Sequence, residues 1–259
     1  MNIWEALARA AEEPQNKPKP QPNVLVVVQA RLGSTRLPGK VLLPLGGKPV
    51  LQWVVERAQR AGYPVCVTVP NNEHTLSLWR SVEPLGCNIH APKRPEDWGP
   101  IAEEDVLSRF AATVDSTRPT PDLVVRITAD CPCLDPTLIQ RAVQAITWGH
   151  DYAANTVERT YPRGLDVEAF TTEQLFRTHR QAKRPYDREH VTPFMQVSAN
   201  RPYVLRKGPQ EPAGLSERWR WCLDTPEDYA WLSGAFNALG DPTTVALADY
   251  SLHHPPPLD

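Results

Sequence analysis

The apolar run Val24–Val28 leads without a break into a loop that holds Arg31, Gly33, Ser34, Thr35, Arg36, Gly39 and Lys40. A run this short and this rich in β-branched residues suits a strand buried on both faces. Beyond the loop and a Gly-Gly turn, Val50, Leu51, Val54, Val55, Ala58 and Ala61 recur at helical spacing, with Pro49 at the helix start and Gly62 past its end. Pro64–Val69 reads as a second strand. Strand, helix, strand is the building unit of a parallel sheet, and it confines the chain to an α/β architecture.

The same pattern says where a ligand sits. A loop that leaves the carboxyl end of a buried strand lies on the edge where open α/β sheets bind ligands. Three cations, two hydroxyls and two glycines suit a polyphosphate. Glycine lets the backbone come close, successive N–H groups form an anion nest, Arg grips two oxygens and Lys adds a point charge. Two familiar phosphate loops are excluded. Five residues separate Gly33 from Gly39, and Val41 stands where a P-loop needs its hydroxyl. The G-x-G-x-x-G of dinucleotide-binding folds is absent as well.

The rest of the chain continues the alternation. Helices are expected at 76–85, 105–113, 136–146 behind an Asp135 N-cap, 172–183, 189–198, and 226–239 capped by Thr225. Strands are expected at 123–128, 152–155, 165–170 and 219–223, and a proline-rich loop at 88–102. Residues 1–13 read as an amphipathic helix and the prolines up to Pro22 as a stiff linker, leaving 23–259 as a single domain. A chain of 259 residues is long enough for such a core. Net charge is −2, which argues against a nucleic-acid or membrane partner and makes any anion site local. No apolar run approaches the ~20 residues of a membrane span. The start, MNIWEALARAAEEP, lacks the features of a signal peptide, and five scattered cysteines suggest reduced thiols in a cytoplasm. Cys131 and Cys133 lack a second Cys/His pair at zinc spacing.

Two aspartates stand out at strand ends: Asp130 after LVVRIT and Asp224 after WRWCL. With the cationic loop they would converge on one edge of the sheet. Two carboxylates plus substrate phosphates suit Mg²⁺, a hard ion that prefers oxygen ligands.

The loop resembles the opening motif of the cytidylyltransferases that make CMP-activated acid sugars: apolar strand, Ala-Arg, two residues, Ser, one residue, Arg, three residues, Lys. Ala30, Arg31, Ser34, Arg36 and Lys40 fill those places, and QARLGSTRLPGK is most similar to the spore-coat polysaccharide branch. The resemblance spans roughly Asn23 to Leu239. It implies a three-layer sandwich with a mostly parallel central sheet, the Rossmann-like nucleotidyltransferase (GT-A-like) fold. It implies CTP as donor, bound by Ala30, Arg31, Gly33, Ser34, Arg36 and Lys40, with Mg²⁺ on Asp130 in TADCP and Asp224 in DTPED. Arg31, Lys40, Asp130 and Asp224 would be the catalytic set, in a homodimer. One departure is the 88–102 loop, which does not follow the family pattern.

The acceptor would be an acid sugar or a similar acidic metabolite. Asp166 and Glu168 alternate along one strand face, Asn155 offers hydrogen bonds, and Arg163 suits a carboxylate. Arg188, Glu189 and His190 lie in a REHVTP run similar to that of the spore-coat branch, and His190 is a candidate general base. The alternatives are a sugar-phosphate or polyol-phosphate nucleotidyltransferase using another nucleotide, and a non-catalytic nucleotide-binding protein. A P-loop kinase fits less well because of the spacing and Val41.

Overall fold

The apolar run becomes the central strand, β1 (Val24–Gln29), of a seven-stranded sheet. The computed structural model describes residues 21–93, 101–212 and 214–259. The expected N-terminal helix, nearly all of the linker, and the middle of the 88–102 stretch lie outside the described residues.

The other strands are β2 (Pro44–Leu45), β3 (Lys48–Pro49), β4 (Val65–Thr68), β5 (Asn88–His90), β6 (Leu123–Thr128), β7 (Tyr152–Ala154), β8 (Glu168–Thr171) and β9 (Pro202–Val204). The sheet order is β5-β4-β1-β6-β8-β7-β9, while β2 and β3 form a small separate hairpin. Within the large sheet β8 alone runs against its neighbours. β1 lies between β4 and β6, so the chain turns back across the sheet at β1 and opens a crevice at the carboxyl ends of β1 and β6.

The described helices are α1 (Val50–Gln59), α2 (Thr75–Val82), α3 (Val106–Ser116), α4 (Pro136–Thr147), α5 (Thr172–Gln181), α6 (Pro185–His190), α7 (Pro193–Ser198), α8 (Pro226–Leu239) and α9 (Thr244–His253). Successive residues of β1 feed opposite faces. Val24, Val26 and Val28 pack with residues of α1, α2, α4, α8 and α9, whereas Leu25 and Val27 pack with α3, α5 and α7. Helices on both faces explain why β1 is apolar without alternation. Each buried valine contributes roughly 1.5–2 kcal/mol. The result is the expected three-layer, mostly parallel sandwich.

Several local expectations change. β5 falls inside the stretch read as loop and extends the sheet beyond β4. The expected strand at 165–170 begins only at Glu168. The expected helix at 189–198 is cut into α6 and α7, because Val191 adopts φ 69° and Pro193, which has no N–H to continue the helix, starts the next one. The expected strand at 219–223 does not form. It is largely buried, with Trp219, Trp221, Cys222 and Leu223 in the interior and Arg220 partly exposed. Its partners, though, are a loop and the chain end: single bridges join Arg220 to Arg163 and Trp219 to Leu258. β9 and α9 have no counterpart in the sequence reading.

Candidate active site

The loop after β1 is shaped by its own small residues. The Ser34 hydroxyl accepts from the Leu37 N–H (3.4 Å), and the Gly39 N–H donates to the Leu32 carbonyl (3.2 Å). Gly39 has φ 69°, a left-handed turn that any side chain would strain, and this turn starts the short 3-10 helix Lys40–Leu42. Lys40 is thereby aimed back across the sheet edge. Gly33 lies against the Glu103 carboxylate, which fills the space a Cβ would need.

Lys40 meets both expected aspartates. Its ammonium donates to Asp130 Oδ2 (2.5 Å) and to Asp224 Oδ1 (2.6 Å). Arg36 pairs with the other Asp224 oxygen (3.0 Å), and Arg31 reaches Glu189 of α6 (3.2 Å). The Leu223 N–H donates to the Asp130 carbonyl (2.8 Å), stitching the two acidic segments together. Asp228 aims the second. Buried at the start of α8, its Oδ2 accepts from the N–H groups of Asp224 and Thr225 (both 2.9 Å) and from Arg220 (2.8 Å). Thr225 and Asp228 complete a capping box.

Burial disfavours both charged forms at this centre, and the ion pair outweighs it on each side. The Lys40 ammonium is held above its ordinary value by Asp130 and Asp224. The Asp130 carboxyl is held below 3.8, chiefly by the charge and hydrogen bond of Lys40. Because the folded-state value is depressed, the stability Asp130 contributes is complete above pH 3.8 and is lost as pH falls through the folded value. Lys40→Met is therefore expected to flatten the acid limb of a Tm-against-pH curve below about pH 4; an unchanged limb would show that the pair adds no pH-dependent stability.

These residues open onto a cavity of about 770 Å³ at the carboxyl ends of β1 and β6. Ala30, Arg31, Gly33, Ser34, Arg36, Lys40, Asp130, Arg163, Asp166, Glu189, His190 and Asp224 all line it. Asp166 is gripped by Arg159 through both oxygens (2.6 and 3.2 Å), and burial raises its carboxyl in spite of that partner. Arg163 pairs with Asp259. Val191, beside Glu189 and His190, carries a positive φ that a β-branched residue tolerates poorly, a strain set at the cavity wall.

Three expected acceptor residues lie elsewhere. Asn155 is buried and clips backbone, donating to the Leu165 carbonyl (2.7 Å) and accepting from the Val167 N–H (2.9 Å). Glu168 faces Arg126 in the sheet rather than the cavity. Arg188 turns to the far side of α3, where it meets Asp105 (2.9 Å) and Ser108 (2.6 Å) and lines a second cavity of about 660 Å³. Asn155 and Glu168 are satisfied by local partners, and Arg188 leaves α6 on the opposite side from Glu189.

The sequence reading missed Gln29, Arg109 and Arg126, which also line the cavity. The signal was present: a cation interrupts the apolar strand LVVRIT, and another interrupts the apolar spacing of α3. Burial, reinforced by the charge of Arg31, pushes the Arg109 guanidinium down to about 10, so it remains charged at neutral pH.

The family profile for cytidylyltransferases matches residues 25–230, from β1 to the first turn of α8. The chain belongs to the cytidylyltransferase family. It is an enzyme of the nucleotidyltransferase class. Among similar proteins is the spore coat polysaccharide biosynthesis protein of Bacillus subtilis strain 168, 28% identical over 235 residues, 88% of this chain and 92% of that protein. A cytidylyltransferase structure from Leptospira borgpetersenii has a TM-score of 0.77 at 24% identity, covering 90% of this chain and 95% of the other. The structure of CMP:2-keto-3-deoxy-manno-octonic acid synthetase complexed with CTP has a TM-score of 0.55 at 18% identity, covering 84% and 98%.

The cytidylyltransferase's acidic pair fits a hard dication. Asp130 and Asp224 converge on one point, where the Lys40 ammonium meets oxygens of both. The thiols of Cys131 and Cys222, which also line the cavity, are pushed up by burial and by Asp130, so they stay neutral and offer no soft thiolate. Among the described residues no third His, Cys, Asp or Glu completes a closed metal cage. Two carboxylates suit a hard ion that fills its remaining positions with phosphate oxygens and water. No described helix is long and apolar enough to cross a membrane.

Proposed function

We propose that the protein transfers the CMP unit of CTP to an oxygen of an acid sugar or a similar acidic metabolite, releases pyrophosphate, and uses Mg²⁺. The observation that carries this reading is the meeting of Lys40, from the loop, with Asp130 and Asp224 at the mouth of the cavity. Nucleotidyl transfer needs cations for the leaving phosphates and a carboxylate pair for the ion within one site.

Arg31, Arg36 and Lys40 exchange their carboxylate partners for oxygens of the triphosphate. The pairs of Arg31 and Arg36 are partly exposed, so for these two the exchange costs little. The acceptor oxygen attacks the α-phosphorus in line, the bond to the β-phosphate breaks, and the acceptor's proton leaves to solvent or a cavity base. Lys40 and Arg31 screen the charge that builds on the departing pyrophosphate. Asp130 and Asp224 would hold Mg²⁺, which when bound supplies Lewis-acid polarisation of the phosphate. Binding and alignment in the cavity supply much of the remaining rate.

The test is pyrophosphate release by the full-length protein with Mg²⁺ and each of CTP, UTP, GTP and ATP. The acceptors are 2-keto-3-deoxy-manno-octonic acid, a panel of other acid sugars, and a panel of sugar and polyol phosphates. Release that depends on CTP and on an acid is the expected result. Preference for another nucleotide overturns the base assignment, preference for a phosphorylated acceptor overturns the acid, and CTP binding without release from any acceptor favours a non-catalytic binder.

A further inference from the structure

Arg126 is a charged residue in an otherwise apolar strand, and the fold goes to some length to hold it still. Its Nε–H donates to Gln29 Oε1 (2.9 Å), and its Nη1 donates to Glu168 Oε2 from the directly opposite position on β8. Glu168 is itself locked. Its Oε1 accepts from Tyr152 Oη (3.0 Å), Thr156 Oγ1 (3.0 Å) and Thr192 Oγ1 (2.7 Å). The Arg126 and Glu168 side chains are 13% and 4% exposed, against 39% and 36% for the Arg31–Glu189 pair. The Arg31 pair can therefore exchange partners far more readily than the Arg126 pair, whose carboxylate is almost fully buried and held by three hydroxyls.

A buried ion pair is often no more stable than apolar residues of similar volume. Its place here, on the cavity floor beside Gln29 and Thr128, points to a ligand. Two nitrogens of the guanidinium are engaged by protein. Nη2 makes no hydrogen bond among the described residues, and Arg126 lines the cavity. With Glu168 as a permanent partner, the pair is neutral overall. It offers direction more than net charge. That suits a planar, singly charged carboxylate, while a phosphate gains more from the cationic loop.

We infer that Arg126 is a specificity-determining residue that hydrogen-bonds the carboxylate of the acceptor, and that Glu168 is the positioning residue that orients it. The inference rests on the nucleotidyl-transfer reading above for the word acceptor, and its test separates the two. Thr192 extends the network to the break between α6 and α7, so the floor is tied to the wall that carries Glu189 and His190.

The experiment uses the full-length protein with ¹⁵N-labelled arginine. The Nε resonance of Arg126 is assigned by its loss in Arg126→Gln. It is followed during titration with 2-keto-3-deoxy-manno-octonic acid, with pyruvate as the minimal carboxylate fragment, and with inorganic phosphate. CTP affinity is measured separately by calorimetry. Both carboxylates are expected to shift the resonance. Arg126→Gln and Arg126→Lys are expected to weaken carboxylate binding by about tenfold or more, with CTP affinity unchanged within about twofold. Glu168→Gln, which leaves the floor with one more positive charge, is expected to move the preference from carboxylate toward phosphate. A purely structural Glu168 would leave that preference as it is.

The inference is overturned if neither carboxylate moves the resonance, if phosphate is preferred by the wild-type protein, or if Arg126→Gln binds carboxylate as tightly as before. Should Arg126→Gln fail to fold, Arg126→Lys and the wild-type resonance carry the same decision. CTP binding without a carboxylate response ends this inference and leaves the nucleotide site standing. A carboxylate response without CTP binding does the reverse.

Discussion

Asp224→Asn is expected to cut Mg²⁺-dependent turnover of CTP by about 100- to 1000-fold while lowering Tm by only a few degrees. The rate falls because asparagine keeps the shape but loses the charge that would bind a hard dication. Stability changes little because Asp224 is partly exposed, and Lys40 retains Asp130 as a partner. Asp130→Asn should lose comparable activity. Asp228→Asn, four residues on, is expected to behave differently. Asp228 is 1% exposed and holds two backbone N–H groups together with Arg220. Breaking that buried pair should cost about 3 kcal/mol of stability, with activity falling as the protein unfolds. Steady-state rates and thermal melts on the three variants separate the roles. Normal turnover by Asp224→Asn would remove the metal assignment.

The largest stability effect is expected from a residue that touches no substrate. Gly164 has φ 103°, and a Cβ there would lie 2.5 Å from the carbonyl carbon and oxygen of Trp221. Those atoms are backbone and cannot rotate away. The same contact carries the bridge that replaces the missing strand: the Arg163 N–H donates to the Trp219 carbonyl (3.0 Å), and the Trp221 N–H donates to the Arg163 carbonyl (2.7 Å). Gly164→Ala must therefore push the 219–224 segment away, and Asp224 moves with it. Left-handed strain and the clash together should cost about 3 kcal/mol or more. Mg²⁺ dependence should weaken even in the folded fraction. A melt within a degree or two of wild type would show that the segment shifts freely, and that its bridge to Arg163 does not position Asp224.

Much of the architecture is readable from local patterns. Val24–Val28 announces a strand covered on both sides, and the 50–61 periodicity announces the helix that follows. The loop residues Ala30, Arg31, Ser34, Arg36 and Lys40 mark the family motif without help from coordinates. Misreadings cluster where the pattern is locally right and the partner is remote. The alternation of WRWCL is that of a strand, but its neighbours are residues 163 and 258 rather than a sheet. Glu168 and Asp166 alternate as expected along the chain, yet Arg126 across the sheet claims one while Arg159 and the cavity take the other.

The sequence alone therefore determined the α/β class, the buried first strand and the cationic loop at its carboxyl end, because each is a matter of residues adjacent along the chain. Only the tertiary structure decided that Lys40 meets Asp130 and Asp224, that Arg126 lies on the cavity floor, and that Arg188 and Asn155 do not reach the cavity. Those outcomes depend on contacts between residues from 10 to 184 positions apart. A one-dimensional pattern carries the propensity of each segment but not the direction in which a side chain leaves its element once that segment is packed.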